Sequence, residues 1–170
     1  LVDKGYAYVI EGSSAKYTPV PKEELMINAS RDFSENMKII NDQLDFTMFK
    51  QEPYVTIKGD KHVIDKLKNI IAQAELRIYL SCEDSVLKWI DSDLKTAVNR
   101  GLKVVILSQK PIEGVHHQHY YIEGGSSMKI IADTKDVLAG TLKQCLYSKN
   151  STLVQLIREA CINEITLIEK

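Results

Sequence analysis

The sequence predicts an α/β protein in two parts: a β-hairpin followed by one long helix, then a domain built on a mixed, mostly parallel sheet. Three observations predict it. Apolar residues recur at alternating spacings of four and three from Met26 to Leu44, the seam of a coiled coil. Short β-branched runs alternate with helix-period apolar faces between residues 54 and 107, as in βαβ units. Glycine, proline and small polar residues fall between these segments.

Residues 1–5 read as a helix end finishing on Gly5, where a positive φ costs little. Residues 6–10 are aromatic and β-branched and read as a strand, 11–14 as a turn, and 15–20 as the return strand, ended by proline. A lone hairpin is marginally stable in water, so support from an upstream segment or a partner chain is expected. Residues 22–50 read as one helix, with Pro21 suited to its start and Glu23 and Glu24 to its positive end. Its seam is Met26, Ser30, Phe33, Met37, Ile40, Leu44 and Thr47. The seam is narrow and its surroundings polar, which favours a two-stranded coiled coil with Phe33, Met37, Ile40 and Leu44 as dimerisation residues. Pro53 ends the helix.

A strand at 54–58 leads through Gly59 to a helix from Asp60 to about residue 74, with Val63, Ile64, Leu67, Ile70 and Ile71 inward. Residues 76–81 are a strand. Asp84 or Ser85 caps a helix with Val86, Leu87, Ile90, Leu94 and Val98 inward, closed by Gly101, and 102–107 are the next strand. This β-α-β-α-β order implies parallel strands joined by right-handed crossovers. Residues 128–133 and 136–142 are two strands about the turn Thr134-Lys135, and 146–148 a short further strand. Ser151 caps a last helix with Leu153, Leu156, Ile157 and Ala160 inward, and residues 165–168 suit helix or strand. Trp89, in mid-helix, is expected in the core rather than as a stacking platform.

A length of 170 residues, 44% hydrophobic and 26% charged, suits a soluble globular chain. The net charge of −1 exerts no global pull on nucleic acid or anionic lipid. No apolar run approaches the ~20 residues of a membrane span, and no basic-then-apolar start reads as a secretory signal. The three cysteines, Cys82, Cys145 and Cys161, form no CxxC pair and read as reduced, buried thiols in a cytoplasmic protein. The chain opens on Leu1 and reads as a fragment of a longer protein.

Residues 1–21, LVDKGYAYVIEGSSAKYTPVP, resemble the end of a recognition helix and the β-wing of a winged helix-turn-helix protein. In the TrmB-like sugar-sensing regulators such a wing runs through a Tyr-x-x-x-Pro stretch into a long dimerisation helix, and residues 17–21 look similar. Residues 54–170, above all IIADTKDVLAGTL and LYSKNSTLVQLIREA, resemble the phospholipase D-like effector domain of that family. The resemblance implies three parts: a winged-helix remnant at 1–20, a dimerisation helix at 21–52 and a phospholipase D-like effector domain at 53–170. It also implies a homodimer, DNA binding by the full-length protein with Lys16 of the wing at the phosphates, and a small effector, a sugar being the expectation. Membrane contact, a metal and a cofactor are not expected.

Phospholipase D-like enzymes carry His-x-Lys, four residues, Asp, and a Gly-Ser or Gly-Thr seven residues after that Asp. Asp133 and Gly140-Thr141 match this tail, but the histidine position is Ser126 and the lysine position Met128. Attack on phosphorus needs an imidazole, with cations to hold the phosphate oxygens. A retained fold without catalysis is therefore expected. A phosphodiesterase or nuclease that recruits His116, His117 or His119 from the preceding loop is the alternative, and a ligand-free dimerisation module is another. His117 and His119 share a face if they lie on a strand, but a zinc site needs more ligands, so a polar loop or edge strand is expected. An effector is expected beyond the carboxyl ends of the parallel strands. The candidate contacts there are Ser81, Glu83, Ser108 and Gln109, with Asp133, Thr141, His117 and His119 beside them.

Overall fold

The chain opens with a single 3-10 turn at Val2–Lys4, closed by Gly5 at φ 70° in the left-handed region. The computed structural model describes residues 1–12, 14–44, 54–123 and 127–170, in two compact units, Leu1–Lys50 and Gln51–Lys170. In the first unit, β1 (Ala7–Ile10) and β2 (Lys16–Pro19) form the expected hairpin, paired antiparallel from Ala7↔Pro19 to Ile10↔Lys16. Val20 is buried, and its N–H donates to Tyr6 O at 3.1 Å.

Helix α1 (Lys22–Gln43) follows Pro21, with Glu23 and Glu24 in its first turn. The Tyr8 hydroxyl donates to the Glu24 carboxylate, and that bond raises the tyrosine pKa. No residue of α1 is buried. Met26, Phe33, Met37, Ile40 and Leu44 are 47–67% exposed, so the apolar seam is open along the described helix. The helix was expected to run to residue 50; it stops at Gln43, and Leu44 is its extended C-cap. Asn41 and Asp42 are poor helix formers, and the last turn holds no cation to offset the carbonyl end of the dipole. Seam position Thr47 lies outside the described residues.

The second unit is a three-layer sandwich around a seven-stranded sheet. Its strands are β3 (Val55–Lys58), β4 (Arg77–Ser81), β5 (Lys103–Ser108), β6 (Gln118–Tyr121), β7 (Met128–Ala132), β8 (Asp136–Gly140) and β9 (Gln144–Ser148). Helices α2 (Asp60–Gln73) and α3 (Asp84–Asn99) cover one face, and α4 (Ser151–Ile168) covers the other. The two-residue period of a strand divides the core between the faces. Ile130 and Leu138 pack under α2 and α3, while Ile131 and Val137 pack under Val154 and Cys161 of α4.

The sheet is mixed, in the order β3-β9-β8-β7-β4-β5-β6. Parallel pairing is confined to β4–β5 and β5–β6, and the other pairs are antiparallel. Strands β3, β8, β4, β5 and β6 point one way, β7 and β9 the other. The first βαβ unit expected from the sequence therefore does not close on itself: β3 pairs with β9 at the sheet edge and not with β4. Two short turns make β7, β8 and β9 a meander, and β7 takes the place beside β4.

The cap assignments shift by one residue. Gly59, Glu83 and Asn150 are the N-caps of α2, α3 and α4. Only Asn150, not the expected Ser151, makes a side-chain cap, accepting from Leu153 N at 3.1 Å. Helix α4 turns Val154 and Cys161 fully inward and leaves Leu156, expected inside, 57% exposed. Residues 165–168 are helix throughout. The three cysteines are buried and unpaired, and burial pushes the Cys145 thiol up to about 11. No helix among the described residues is long and apolar enough to cross a membrane.

Two turns fix the meander. Between β7 and β8, Asp133 and Thr134 both take left-handed φ, 52° and 58°, and Lys135 N donates to Ala132 O at 2.9 Å. The Asp133 carboxylate accepts the N–H groups of Glu75, Leu76 and Arg77 at 2.8, 2.8 and 2.9 Å. Burial alone would raise its pKa. The bonds from Arg77, Glu75 and Leu76, with Lys135 nearby, outweigh burial and hold the carboxyl below the ordinary aspartate value. Between β8 and β9, Gly140 has φ 147°, and a Cβ there would meet Gln144 O at 2.5 Å and Cys145 Cα at 2.9 Å.

A depressed folded pKa contributes stability above the unfolded pKa and loses it as pH falls through the folded one. Asp133→Asn should lower the unfolding free energy by about 2 kcal/mol at neutral pH. In urea titrations, its gap to the wild type should shrink below the usual carboxylate range; a gap constant with pH would rule out the charge-based clamp. Gly140→Ala should cost about 3 kcal/mol, through backbone strain and overlap together, and thermal unfolding reads the loss directly.

Candidate functional site

Because β4 and β8 run together and β7 runs against them, the end of β4, the start of β7 and the β8–β9 turn meet at one edge of the sheet. A cleft of about 280 Å³ opens there. Met128, 2% exposed, lies at its base with Val86 of α3. Glu83, Ser127, Thr141, Leu142 and Lys143 complete its lining.

The walls are fixed by backbone bonds. Thr141 N donates to Gln144 O at 2.9 Å and Gln144 N donates to Thr141 O at 3.1 Å, so residues 141–144 form a tight turn. The Cys145 thiol donates to Thr141 O at 3.0 Å. On the opposite wall the Glu83 carboxylate accepts from Ser85 Oγ at 3.1 Å and stands at the start of α3, where the helix dipole favours an anion. The neighbouring Cys82 thiol is pushed up to about 12, by burial first and then by Asp84 and Glu83, which leaves it a poor nucleophile. The described lining is mostly apolar, with Glu83, Ser127, Thr141 and Lys143 adding a few polar groups and with no imidazole and no nucleophile–base pair. Such a surface can cover the apolar face of a small molecule, with polar contacts few and at its edges.

Of the residues expected at the site, Glu83 and Thr141 line this cleft together. Ser81 is buried at the end of β4. Ser108 is fully buried at the end of β5, and its hydroxyl donates to Lys110 O at 2.6 Å. Gln109 is exposed beyond it and does not line the cleft. Asp133 is a correction: β7 is antiparallel to β4, so Asp133 lies at the opposite edge of the sheet, holding the start of β4. Ser126, the position of the absent histidine, lies outside the described residues.

The histidines also do not reach the cleft; they brace the loop that leads to β6. His117 Nε2 accepts from Ile112 N at 3.2 Å, and its Nδ1 lies 3.1 Å from Val115 O, so both ring nitrogens are used. His119 Nε2 lies 3.1 Å from Ser108 O and 3.2 Å from Ser108 Oγ. The two rings meet edge to face, 6.2 Å apart. Among the described residues no cluster of three or more histidine, cysteine or acidic side chains could hold a metal.

Trp89 is a second correction. It is 63% exposed, not core. At about 100° per residue, Val86, Leu87, Ile90, Leu94 and Ala97 take the inward arc of α3 and Trp89 falls outside it. Its indole lines a second cleft, of about 370 Å³, that shares Leu142 with the first. Ser127, Leu142 and Lys143 were not foreseen as site residues. The match at Gly140-Thr141 marked their turn, but nothing in the local pattern showed which side chains project from it.

Residues 54–164 match the family described as Transcriptional regulator TrmB, EBD N-terminal subdomain. The uncharacterized protein YrhO of Bacillus subtilis (strain 168) is 26% identical over 187 aligned residues, which span 99% of this chain and 68% of YrhO. Among solved structures, TrmBL2, an archaeal chromatin protein with a novel mode of DNA binding, is similar with a TM-score of 0.59 and 18% identity, over 95% of this chain and 76% of that one. NucT from Helicobacter pylori is similar with a TM-score of 0.52 and 11% identity, over 66% of this chain and 95% of its own. The likeness to these two is one of fold. With the family match spanning most of its length, the chain belongs to the TrmB family of transcriptional regulators.

Proposed function

We propose that the chain is the effector-sensing and dimerising part of its regulator. The cleft of Glu83, Ser127, Thr141 and Lys143 binds a small molecule, with a sugar as the first class to test. Helix α1 joins two copies through Phe33, Met37, Ile40 and Leu44. Binding shifts the population between dimer geometries and so changes DNA binding by the full-length protein. Exposed Lys16 on the hairpin contributes a phosphate contact.

The observation that carries the sensing role is Met128. It stands where phospholipase D-like enzymes place a phosphate-binding lysine, and it forms the apolar base of a cleft rimmed by groups that bind rather than attack. The dimer role is supported by a 22-residue helix with no buried side chain, because such a seam gains its stability only against another surface.

A thermal-shift screen against sugars, sugar phosphates and nucleotides tests the cleft. A true ligand at a hundredfold excess over its Kd adds about 2.7 kcal/mol, a rise of several degrees. Met128→Trp, which fills the cleft, should abolish the rise; a rise that survives it puts the ligand elsewhere. Turnover of a chromogenic phosphodiester by the purified chain would instead restore the enzymatic reading. For the dimer, sedimentation of Phe33→Asp/Ile40→Asp should show a monomer where the parent chain shows a dimer, and an unchanged dimer would remove α1 from the interface.

A further inference from the structure

At the end of the sheet opposite the cleft, α2, β8 and β9 bring four titratable side chains together: Lys66, Asp136, Tyr147 and Lys149. Lys66 Nζ lies over the Tyr147 ring, 3.6 Å from its centroid. The Tyr147 hydroxyl donates to Asp136 Oδ1, and Lys149 Nζ stands 3.7 Å from the same oxygen. Burial first, then that bond to Asp136, raises the tyrosine's pKa and keeps its hydroxyl a donor. Lys149 follows β9 directly and precedes Asn150, the cap of α4, so its backbone is fixed while its side chain is 55% exposed. We propose that Lys66 is acylated by small acyl phosphates, with Lys149 as the cation that receives the donor's phosphate.

The surroundings of Lys66 differ from those of other lysines in the domain. Lys95 and Lys129 are held by carboxylates, Asp91 and Glu164, which favour the charged, unreactive ammonium. Lys66 is half-buried against a ring face, which holds a proton less firmly than a carboxylate does. Burial lowers its pKa first; Asp136 opposes that shift and Lys149 adds to it. A larger share of neutral amine results, and the neutral amine is the nucleophile. The nitrogen attacks the donor's carbonyl carbon, and the C–O bond to phosphate breaks as the C–N bond forms. The proton that the nitrogen sheds passes to Asp136 and leaves on the phosphate, so amine and acyl phosphate become amide and hydrogen phosphate. The amide carries no charge, and the contact of Lys66 with Tyr147, which ties α2 to β9, is lost.

The test incubates the purified chain with acetyl phosphate and follows the acetylation of each lysine by peptide mass spectrometry. Lys66 should react roughly fivefold faster than the median lysine of the chain. Lys149→Gln should slow that reaction roughly fivefold with acetyl phosphate, and much less with uncharged N-acetylimidazole, which has no phosphate to receive. Lys66→Gln, which removes the charge as acetylation does, should lower Tm. Lys66→Arg, which keeps a cation over the ring, should hold the parent Tm. A Lys66 rate at or below the median overturns the site. Equal slowing with both donors overturns the role of Lys149. A Lys66→Gln variant that melts with the parent overturns the tie between α2 and β9 as the thing that acylation breaks.

Discussion

The carboxylate of Asp133 joins two halves of a sheet that would otherwise share one strand pair. On one side lie the parallel strands β4, β5 and β6; on the other lies the antiparallel meander β7, β8 and β9 with β3 at its edge. The halves meet only along β4–β7. At the end of that seam the three N–H groups of Glu75, Leu76 and Arg77 converge on one side chain. The anion is what makes the geometry hold, because a carboxylate accepts several bonds at once. It also offsets the strain of two successive left-handed residues, one of them a β-branched threonine, at a turn where glycine or asparagine would be usual. With the bottom of β7 fixed, Met128 at its top is fixed too, and the cleft inherits its base.

Much of this was legible in the sequence. The strand and helix segments of residues 54–107 follow from periodicity, and the buried faces of α2 and α3 match their apolar stripes almost residue for residue. The runs at 128–133 and 136–142 about the turn Thr134-Lys135 gave β7 and β8, and Thr141 was placed on one wall of the cleft. What could not be read was pairing across long distances. Nothing in residues 54–58 distinguishes a strand that pairs with its neighbour in sequence from one that waits for β9. Strand direction misled in the same way: Asp133 follows a strand end, but that strand is reversed, so it stands at the far edge. Trp89 and Leu156 show the limit of apolar identity as a guide to burial. Each lies beyond the arc its helix turns inward, and a helix with apolar residues on two arcs does not reveal which one the sheet takes.

The histidines illustrate how side chains suited to chemistry become framework. A loop without helix or ladder bonds must satisfy its backbone by other means. His117 and His119 do so, joining the N–H of Ile112 and the carbonyls of Val115 and Ser108. The turn at Gly140-Thr141 is held by its own backbone bonds, and the apolar side chain of Met128 lines the same cleft.

The pairing of β3 with β9 also has a consequence in time. Val55 finds its partner in Tyr147, which is 147 − 55 = 92 positions later in the chain. During synthesis at roughly 5–20 residues per second, the first strand of this unit emerges some ~5–20 s before the strand that receives it. Strands β4 to β8 can assemble meanwhile. Residues 55–58 therefore stay without their strand partner until β9 has been made, with Lys58 as a charge along that edge.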